Sequence, residues 1–255
     1  MDLERHRHRS RNDAEAADAW RELLAPYVTG FTWLDAGQRE RLERRAALLV
    51  GDLRWEAAQG FAVTDEMQLT IAARAALLIV ELDERSYHDV SSVIVHPAAM
   101  VRRRERATAV AGVMRDDEEV LLGVAHHKGP VLLAWAAVLD DVTHPGRGHD
   151  VVLHEFAHRL DMLDGLVDGT PLLPDAAARH RWVEVCTGEY LDLRRSAGDG
   201  LLSGYGGVNP GEFFAVATEA FFTRGPELAA DKPELYGVLR DFYRQDPAAA
   251  PGRPT

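Results

Sequence analysis

The sequence contains almost no cysteine, because Cys186 is the single one among 255 residues. A lone cysteine excludes internal disulfides and any zinc site built from several thiolates. It also fits a reducing compartment, in which thiols stay unpaired. We therefore expect a cytoplasmic protein without disulfides.

Long apolar runs are also missing. The longest run, Val131 to Leu139, is far shorter than the ~20 residues that a transmembrane helix needs. The first residues, MDLERHRHRSRN, lack the apolar segment of a secretory signal. These absences predict a soluble protein that neither crosses a membrane nor is exported.

Basic residues are fewer than acidic residues. The chain has 29 Lys and Arg against 41 Asp and Glu, for a formal net charge of −12. This balance disfavours a broad attraction to nucleic acid or to anionic lipid. Since 46% of the residues are hydrophobic and 27% are charged, the composition is that of an ordinary globular protein. We expect neither a nucleic-acid partner nor a membrane partner.

The two ends of the chain differ from the rest. Residues 1–12 are rich in arginine and histidine, and residues 246–255 read DPAAAPGRPT. Both compositions predict disordered tails. Residues 13–245 contain neither an internal repeat nor a recognisable linker, so they are predicted to form a single domain.

The spacing of apolar residues predicts an α+β fold with a helical N-terminal part. Helices are predicted over residues 13–28, 175–194 and 228–243, and after Asp35, Thr64 and Pro210. Strands are predicted around residues 93–95, 107–114, 119–126 and 131–139, with short connections that favour a small antiparallel or mixed sheet. In the apolar helix after Thr64, Arg74 needs a partner or a route to solvent. The strand over 131–139 is our candidate for an edge strand that pairs with an extended substrate.

The segment VVLHEFAHRLDMLD, at positions 151–164, carries the strongest chemical signal. On a helix of ~3.6 residues per turn, His154 and His158 project from one face, where both imidazoles can reach one metal ion. Glu155 lies beside them and can act on water without binding the metal. The alternative is a pair of core histidines satisfied by hydrogen bonds. Burying two imidazoles and a carboxylate together would be costly, which favours the metal.

A catalytic zinc usually takes three protein ligands, so a third donor is needed. Cys186 could supply a thiolate, but its neighbours are those of a buried structural cysteine. Glu212 and Glu219 are seven positions apart on one face of an apolar helix, and one of them should bind the metal. The other could orient a histidine. Asp161, on the same face as His158, is a further candidate for such support.

HEFAHRLDMLDG followed by YGGVNPGEFFAVATEAFF resembles the Mlc titration factor A family of zinc metallopeptidases. It is more distantly similar to the catalytic domain of anthrax lethal factor. TDEMQLTIAARAALLI, SSVIVHP and GPVLLAW extend the resemblance over most of residues 15–245. The resemblance implies a zincin-like domain in which His154, His158 and Glu212 bind Zn²⁺. It also implies that Tyr205 assists catalysis.

By this resemblance we expect a gluzincin-like peptidase, of the aminopeptidase type, that hydrolyses peptides. Glu155 would be the general base for a zinc-activated water, and Tyr205 would donate a hydrogen bond to the developing oxyanion. Family members also bind the transcriptional repressor Mlc and so relieve repression of glucose uptake. The alternative is therefore a regulatory protein that sequesters a Mlc-like repressor, with peptidase activity secondary. A purely structural zinc is disfavoured because Glu155 would then have no role.

Overall fold

We analysed a computed structural model of the chain, which describes residues 27, 30–58, 60–107, 114–121, 123–125, 129–196, 198 and 200–249. The predicted tail over residues 1–12 lies outside these residues. So does the helix predicted over 13–28, except at Tyr27, which is helical.

Eight α-helices follow one another in the described residues. They are α1 (Ala36–Asp52), α2 (Asp65–Leu78), α3 (Trp135–Thr143), α4 (Val151–Asp161), α5 (Ala176–Ser196), α6 (Pro210–Thr223), α7 (Gly225–Asp231) and α8 (Pro233–Tyr243). The starts near Asp35, Thr64 and Pro210 are those that the sequence predicts, and the first two are capped by a predicted side chain. The Asp35 carboxylate accepts a hydrogen bond from Gln38 N at 2.7 Å, and the Thr64 hydroxyl accepts one from Met67 N at 3.3 Å. Each cap satisfies a backbone N–H that the first turn leaves without a partner.

The predicted mixed sheet is present and small. Its strand order is β1 (Arg54–Ala57), β2 (Ser92–His96), β6 (Val131–Ala134) and β5 (Gly123–Ala125). The first three are parallel, and β5 runs antiparallel to β6. Strands β3 (Met100–Ala107) and β4 (Met114–Leu121) form a separate antiparallel pair. Strands β1 and β3 were not among the predicted strands, and the strand predicted over 107–114 lies, except at its two ends, outside the described residues.

The strand predicted over residues 131–139 is wrong in two respects. Strand β6 ends at Ala134, and the next residues form α3, in which Val138 is buried. A short apolar run can be strand or helix, and its periodicity alone does not decide between them. In addition, β6 lies between β2 and β5, so its backbone is already paired on both sides and it is not an edge strand.

Two other predicted boundaries differ from the structure. The single helix predicted over 228–243 is divided into α7 and α8, because Pro233 lacks the N–H that would continue the first helix. Past residue 245, Ala248 N donates to the Tyr236 hydroxyl at 2.9 Å, so the packed chain extends into the segment expected to be a tail.

Helix α4 lies at the centre of the fold. It packs against α2 on one side, α6 on another, and strands β5 and β6. Arg74, in the middle of α2, finds the partner that the sequence demands, since its guanidinium pairs with the carboxylate of Asp150 at the start of α4. Among the described residues, no helix combines the length and the apolar character needed to span a bilayer.

Candidate metal centre

Helix α4 positions the two histidines of the motif. Its first turn is capped by Asp150, whose Oδ1 accepts hydrogen bonds from Val152 N and Leu153 N, both at 3.1 Å. His154 and His158 follow one turn apart, and their Nε2 atoms lie 3.2 Å from each other. Each side chain is only 12% exposed. The helix therefore holds two ring nitrogens side by side in a largely buried place.

Helix α6 brings a carboxylate to the same point. Asn209 caps this helix by accepting a hydrogen bond from Glu212 N at 3.0 Å, which fixes Glu212 in the first turn. The Glu212 Oε2 atom lies 3.0 Å from His154 Nε2 and 3.3 Å from His158 Nε2. The three side chains that the resemblance implied as ligands are thus brought together, although Glu212 follows His158 by more than fifty residues.

The spacing of these three donor atoms fits a metal ion. Bonds of ~2.0–2.1 Å to a tetrahedral zinc place neighbouring donors about 3.3 Å apart. The observed separations are 3.0, 3.2 and 3.3 Å, so one ligand atom from each residue lies well within 4.8 Å of the other two. The alternative of two histidines that are fully satisfied by hydrogen bonds is not met at His158, because its buried Nδ1 has no hydrogen-bond partner in the described part of the chain.

Glu219 contacts Nδ1 of His154, whereas Glu212 contacts Nε2 of the same ring. Its Oε1 is 2.6 Å from His154 Nδ1, and its Oε2 accepts a hydrogen bond from Asp150 N at 2.7 Å. With Nδ1 donating to a carboxylate, His154 keeps its Nε2 lone pair for a metal. This geometry agrees with the sequence-based hypothesis that one of the two glutamates orients a histidine.

Burial and neighbouring charges shift the pKa values of the groups around the site. Burial raises the pKa of Glu155, which is only 5% exposed. Burial alone would lower the pKa of His154, but Glu219 and Glu212 outweigh it and raise that pKa well above its ordinary value. Burial opposes ionisation of Glu212, yet hydrogen bonds from both histidines bring its pKa below the usual range. Carboxylates therefore favour positive charge where the histidine nitrogens converge, whether a proton or a metal supplies it.

Tyr205 lies on the open side of this group. It belongs to a 3₁₀ turn, Gly204–Gly207, that begins where the Ser203 hydroxyl accepts a hydrogen bond from Tyr205 N at 3.3 Å. Its ring centroid is 6.0 Å from that of His154, and the residue is 47% exposed. The structure therefore places Tyr205 beside the first histidine and within reach of solvent.

Sequence reasoning missed Asp150, which connects several parts of the site. Its side chain caps α4 and pairs with Arg74, while its backbone N–H donates to Glu219. An aspartate directly before an apolar helical stretch is an N-cap signal, so the pattern could have revealed it. Cys186 does not belong to the group of converging donors, and burial raises its pKa.

Comparison with known proteins now assigns the chain to a family. The sequence model described as Glucose-regulated metallo-peptidase M90 matches residues 3–244. The chain belongs to the M90 family of metallopeptidases. Membership confirms the resemblance stated from the motifs, and it implies a metal ion. In this M90 chain, His154, His158 and Glu212 form a group that could hold one.

Individual relatives agree with this assignment. The M90 chain is 34% identical over 232 residues to the uncharacterized protein slr2042 of Synechocystis sp., covering 89% of this chain and 84% of the relative. It is 30% identical over 242 residues to Mlc titration factor A of Serratia proteamaculans, with 92% and 90% covered. The protein of the same name from Klebsiella pneumoniae is 30% identical over 246 residues, with 93% and 91% covered.

Proposed function

We propose that this M90 chain is a zinc-dependent peptidase of the aminopeptidase type, with a gluzincin-like site in a zincin-like domain. His154, His158 and Glu212 hold the metal. The observation that carries the proposal is the convergence of their three donor atoms at 3.0 to 3.3 Å. Two imidazoles and a carboxylate suit zinc, and three protein ligands leave one position free for the reaction.

Glu155 is the general base in this proposal. When bound, the metal supplies Lewis acidity, which polarises the peptide carbonyl and makes water easier to deprotonate. Glu155 takes the proton of the attacking water and then delivers it to the leaving amine. Because burial raises the pKa of Glu155, the carboxyl group can both accept and return a proton nearer to neutral pH than an exposed glutamate can.

Tyr205 stabilises the charge that develops on the substrate. Its position beside His154 and its exposure allow the hydroxyl to meet a bound peptide. A hydrogen bond from this hydroxyl to the developing oxyanion would strengthen as negative charge accumulates there. Tyr205→Phe should therefore lower kcat more than it changes KM.

The substitution Glu155→Gln tests the mechanism directly. It should lower kcat/KM for amino-acid anilides by ~10²- to 10⁴-fold, the range for a lost general base, while the bound metal stays at the wild-type level. Glu184→Gln, which changes an exposed glutamate on α5, is the matched control and should leave kcat/KM unchanged. Hydrolysis that survives Glu155→Gln, or that a chelator fails to inhibit, would refute the peptidase proposal.

The aminopeptidase assignment has a separate test. An aminopeptidase needs a free α-amino group, so it should cleave alanine anilide and leave the N-acetylated compound intact. Cleavage of the acetylated compound or of internal bonds at comparable rates would show an endopeptidase. The metal assignment would survive that result.

A second function is suggested by the printed names of the relatives. Since two of them are called Mlc titration factor A and match about nine-tenths of this chain, we propose that the chain also binds a Mlc-like repressor in the cytoplasm and so regulates sugar uptake. Gel filtration of the chain with purified Mlc should show a complex for the wild type. A complex that persists with Glu155→Gln would separate repressor binding from hydrolysis. No complex at micromolar concentration would leave only the peptidase.

A further inference from the structure

The two histidines of the metal centre differ in what lies behind them. His154 Nδ1 is 2.6 Å from a carboxylate oxygen of Glu219. His158 Nδ1 is equally enclosed by protein, but it has no hydrogen-bond partner in the residues that the structure describes. A buried ring N–H without an acceptor is costly, and histidines that bind metals almost always donate this proton to an oxygen.

A second unsatisfied atom lies on the same helix face. Asp161 follows His158 by three positions, at the last residue of α4, and it is only 1% exposed. Residues three apart on a helix are neighbours. In the described chain the Asp161 Oδ1 atom is buried and has no partner. Within one helical turn, His158 Nδ1 therefore lacks a hydrogen-bond acceptor and Asp161 Oδ1 lacks a hydrogen-bond donor among the described residues.

The other oxygen of Asp161 is held firmly. Its Oδ2 accepts a hydrogen bond from Gly169 N at 3.1 Å. Gly169 is in turn fixed by Trp182, whose Nε1 donates to the Gly169 carbonyl at 2.9 Å. Because Oδ2 is engaged by a constrained backbone N–H, Oδ1 is the oxygen of this carboxylate that is left for His158.

We propose that Asp161 is the positioning residue for His158, as Glu219 is for His154. In the metal-loaded protein its Oδ1 accepts a hydrogen bond from the protonated His158 Nδ1, directly or through one bridging water, and so keeps Nε2 unprotonated for the metal. This inference rests on the proposed function, since it takes His158 to be a ligand. The two ligand histidines would then each be oriented by a buried carboxylate, one from α4 itself and one from α6.

Asp161 also lies close to the helix that carries Glu212. A Cβ atom on Gly211, which precedes Glu212, would lie 3.3 Å from Asp161 Oδ2. The carboxylate therefore lies close to the first turn of α6, although Asp161 belongs to the last turn of α4. A change at Asp161 should disturb His158 and Glu212 together, which would weaken the metal site from two directions.

Metal affinity of the apoprotein provides the first test. Competition with a chromophoric chelator should give a Zn²⁺ dissociation constant for Asp161→Asn that is ~10- to 100-fold higher than for the wild type. An asparagine can keep the bond from Gly169 N, but its NH₂ group then faces His158 and favours the wrong tautomer. The control is Asp168→Asn, which removes one negative charge from the neighbouring loop. The exposed Asp168 carboxylate accepts a local hydrogen bond from Thr170 N at 3.0 Å, so the Zn²⁺ affinity of this variant should stay within twofold of the wild-type value.

A measurement on the wild-type protein makes the test independent of whether the variant folds. Two-bond ¹H–¹⁵N spectra of the zinc-loaded, histidine-labelled protein should show His158 protonated at Nδ1, with slow exchange of that proton. His180, whose side chain is 82% exposed, is the internal reference for fast exchange. Unchanged affinity in Asp161→Asn, or a His158 Nδ1 proton that exchanges as fast as that of His180, would overturn the inference. A wild-type protein that binds no Zn²⁺ would instead overturn the proposed function, and this inference with it.

Discussion

Helices α4 and α6 face each other at the metal centre, and they contribute to it in different ways. In the proposed site, α4 supplies two ligands and the general base, all within the five residues from His154 to His158. Helix α6 would supply the third ligand, Glu212, and two turns later Glu219, whose carboxylate contacts His154 Nδ1. The donors on α4 are placed by the pitch of a helix alone. The donors on α6 are in place only because the two helices pack in one particular register.

The largest effect is expected when the proposed ligand on α6 is removed. Removing Glu212 by Glu212→Ala should reduce Zn²⁺ affinity and hydrolysis about as severely as His154→Ala does. The loss should exceed the ~10- to 100-fold typical of residues that only support a ligand. Titration of each apoprotein with Zn²⁺, together with anilide hydrolysis, would measure this. Glu227→Ala, an exposed glutamate just past α6, is the control. Near-normal affinity in Glu212→Ala would show that α4 suffices.

Substituting Glu219 should have a smaller effect, because this residue acts through His154. A glutamine there can still accept the bond from Asp150 N, but its NH₂ group would face His154 Nδ1 and oppose the metal-binding tautomer. We expect Glu219→Gln to weaken Zn²⁺ affinity by ~10- to 100-fold. Saturating Zn²⁺ should restore most of the hydrolysis. Equal affinities for Glu219→Gln and the wild type would show that His154 needs no carboxylate behind it.

The same contrast explains what the sequence could reveal about the site. The proposed ligands on α4 form a local pattern, so spacing alone brought out His154, Glu155 and His158. On α6, two acids in an apolar helix drew attention, but spacing did not say which one would bind, and only the family resemblance pointed to Glu212. In the structure Glu212 lies at Nε2 of His154 and Glu219 lies at Nδ1, an arrangement that depends on the packing of the two helices.

The fold was predictable to a similar extent. Helix starts with a capping side chain, such as Asp35 and Thr64, follow from local chemistry and were predicted correctly. The strand at 131–139 was half wrong, because an apolar run carries no information on where a buried strand becomes a helix. Whether β6 lies at an edge depends on β2 and β5, which are distant in sequence or have weak strand patterns. Capping signals were reliable, whereas the boundary between strand and helix and the non-local strand pairing were not.

The register between α4 and α6 can be tested at Gly169. This residue has a φ of +76°, and a Cβ atom there would lie only 2.3 Å from the carbonyl oxygen of Pro210, the first residue of α6. Gly169→Ala should therefore destabilise the protein and displace Glu212. Gly165→Ala is a matched control, since Gly165 has a φ of +88° but, its two chain neighbours aside, no atom of the described residues lies within 4 Å of the added Cβ.

Both alanines carry the left-handed backbone cost of roughly 1–2 kcal/mol. Only Gly169→Ala adds the collision, which should cost about 1–3 kcal/mol more in the free energy of unfolding by urea. It should also lower Zn²⁺ affinity, whereas Gly165→Ala should not. Equal losses of stability in the two variants would mean that the approach of Gly169 to Pro210 does not fix α6.

The smallest expected effect concerns Cys186, which lies on neither helix. Burial raises the pKa of its thiol, so the reactive thiolate is scarce at neutral pH and becomes available only well above it. Iodoacetamide at pH 8 should therefore label the native protein slowly and the urea-unfolded protein fast. Cys186→Ser should leave Zn²⁺ affinity unchanged, because a thiol outside the group formed by α4 and α6 supplies no ligand. Rapid labelling of the apoprotein that Zn²⁺ blocks would show instead that the thiolate competes with Glu212 for the metal.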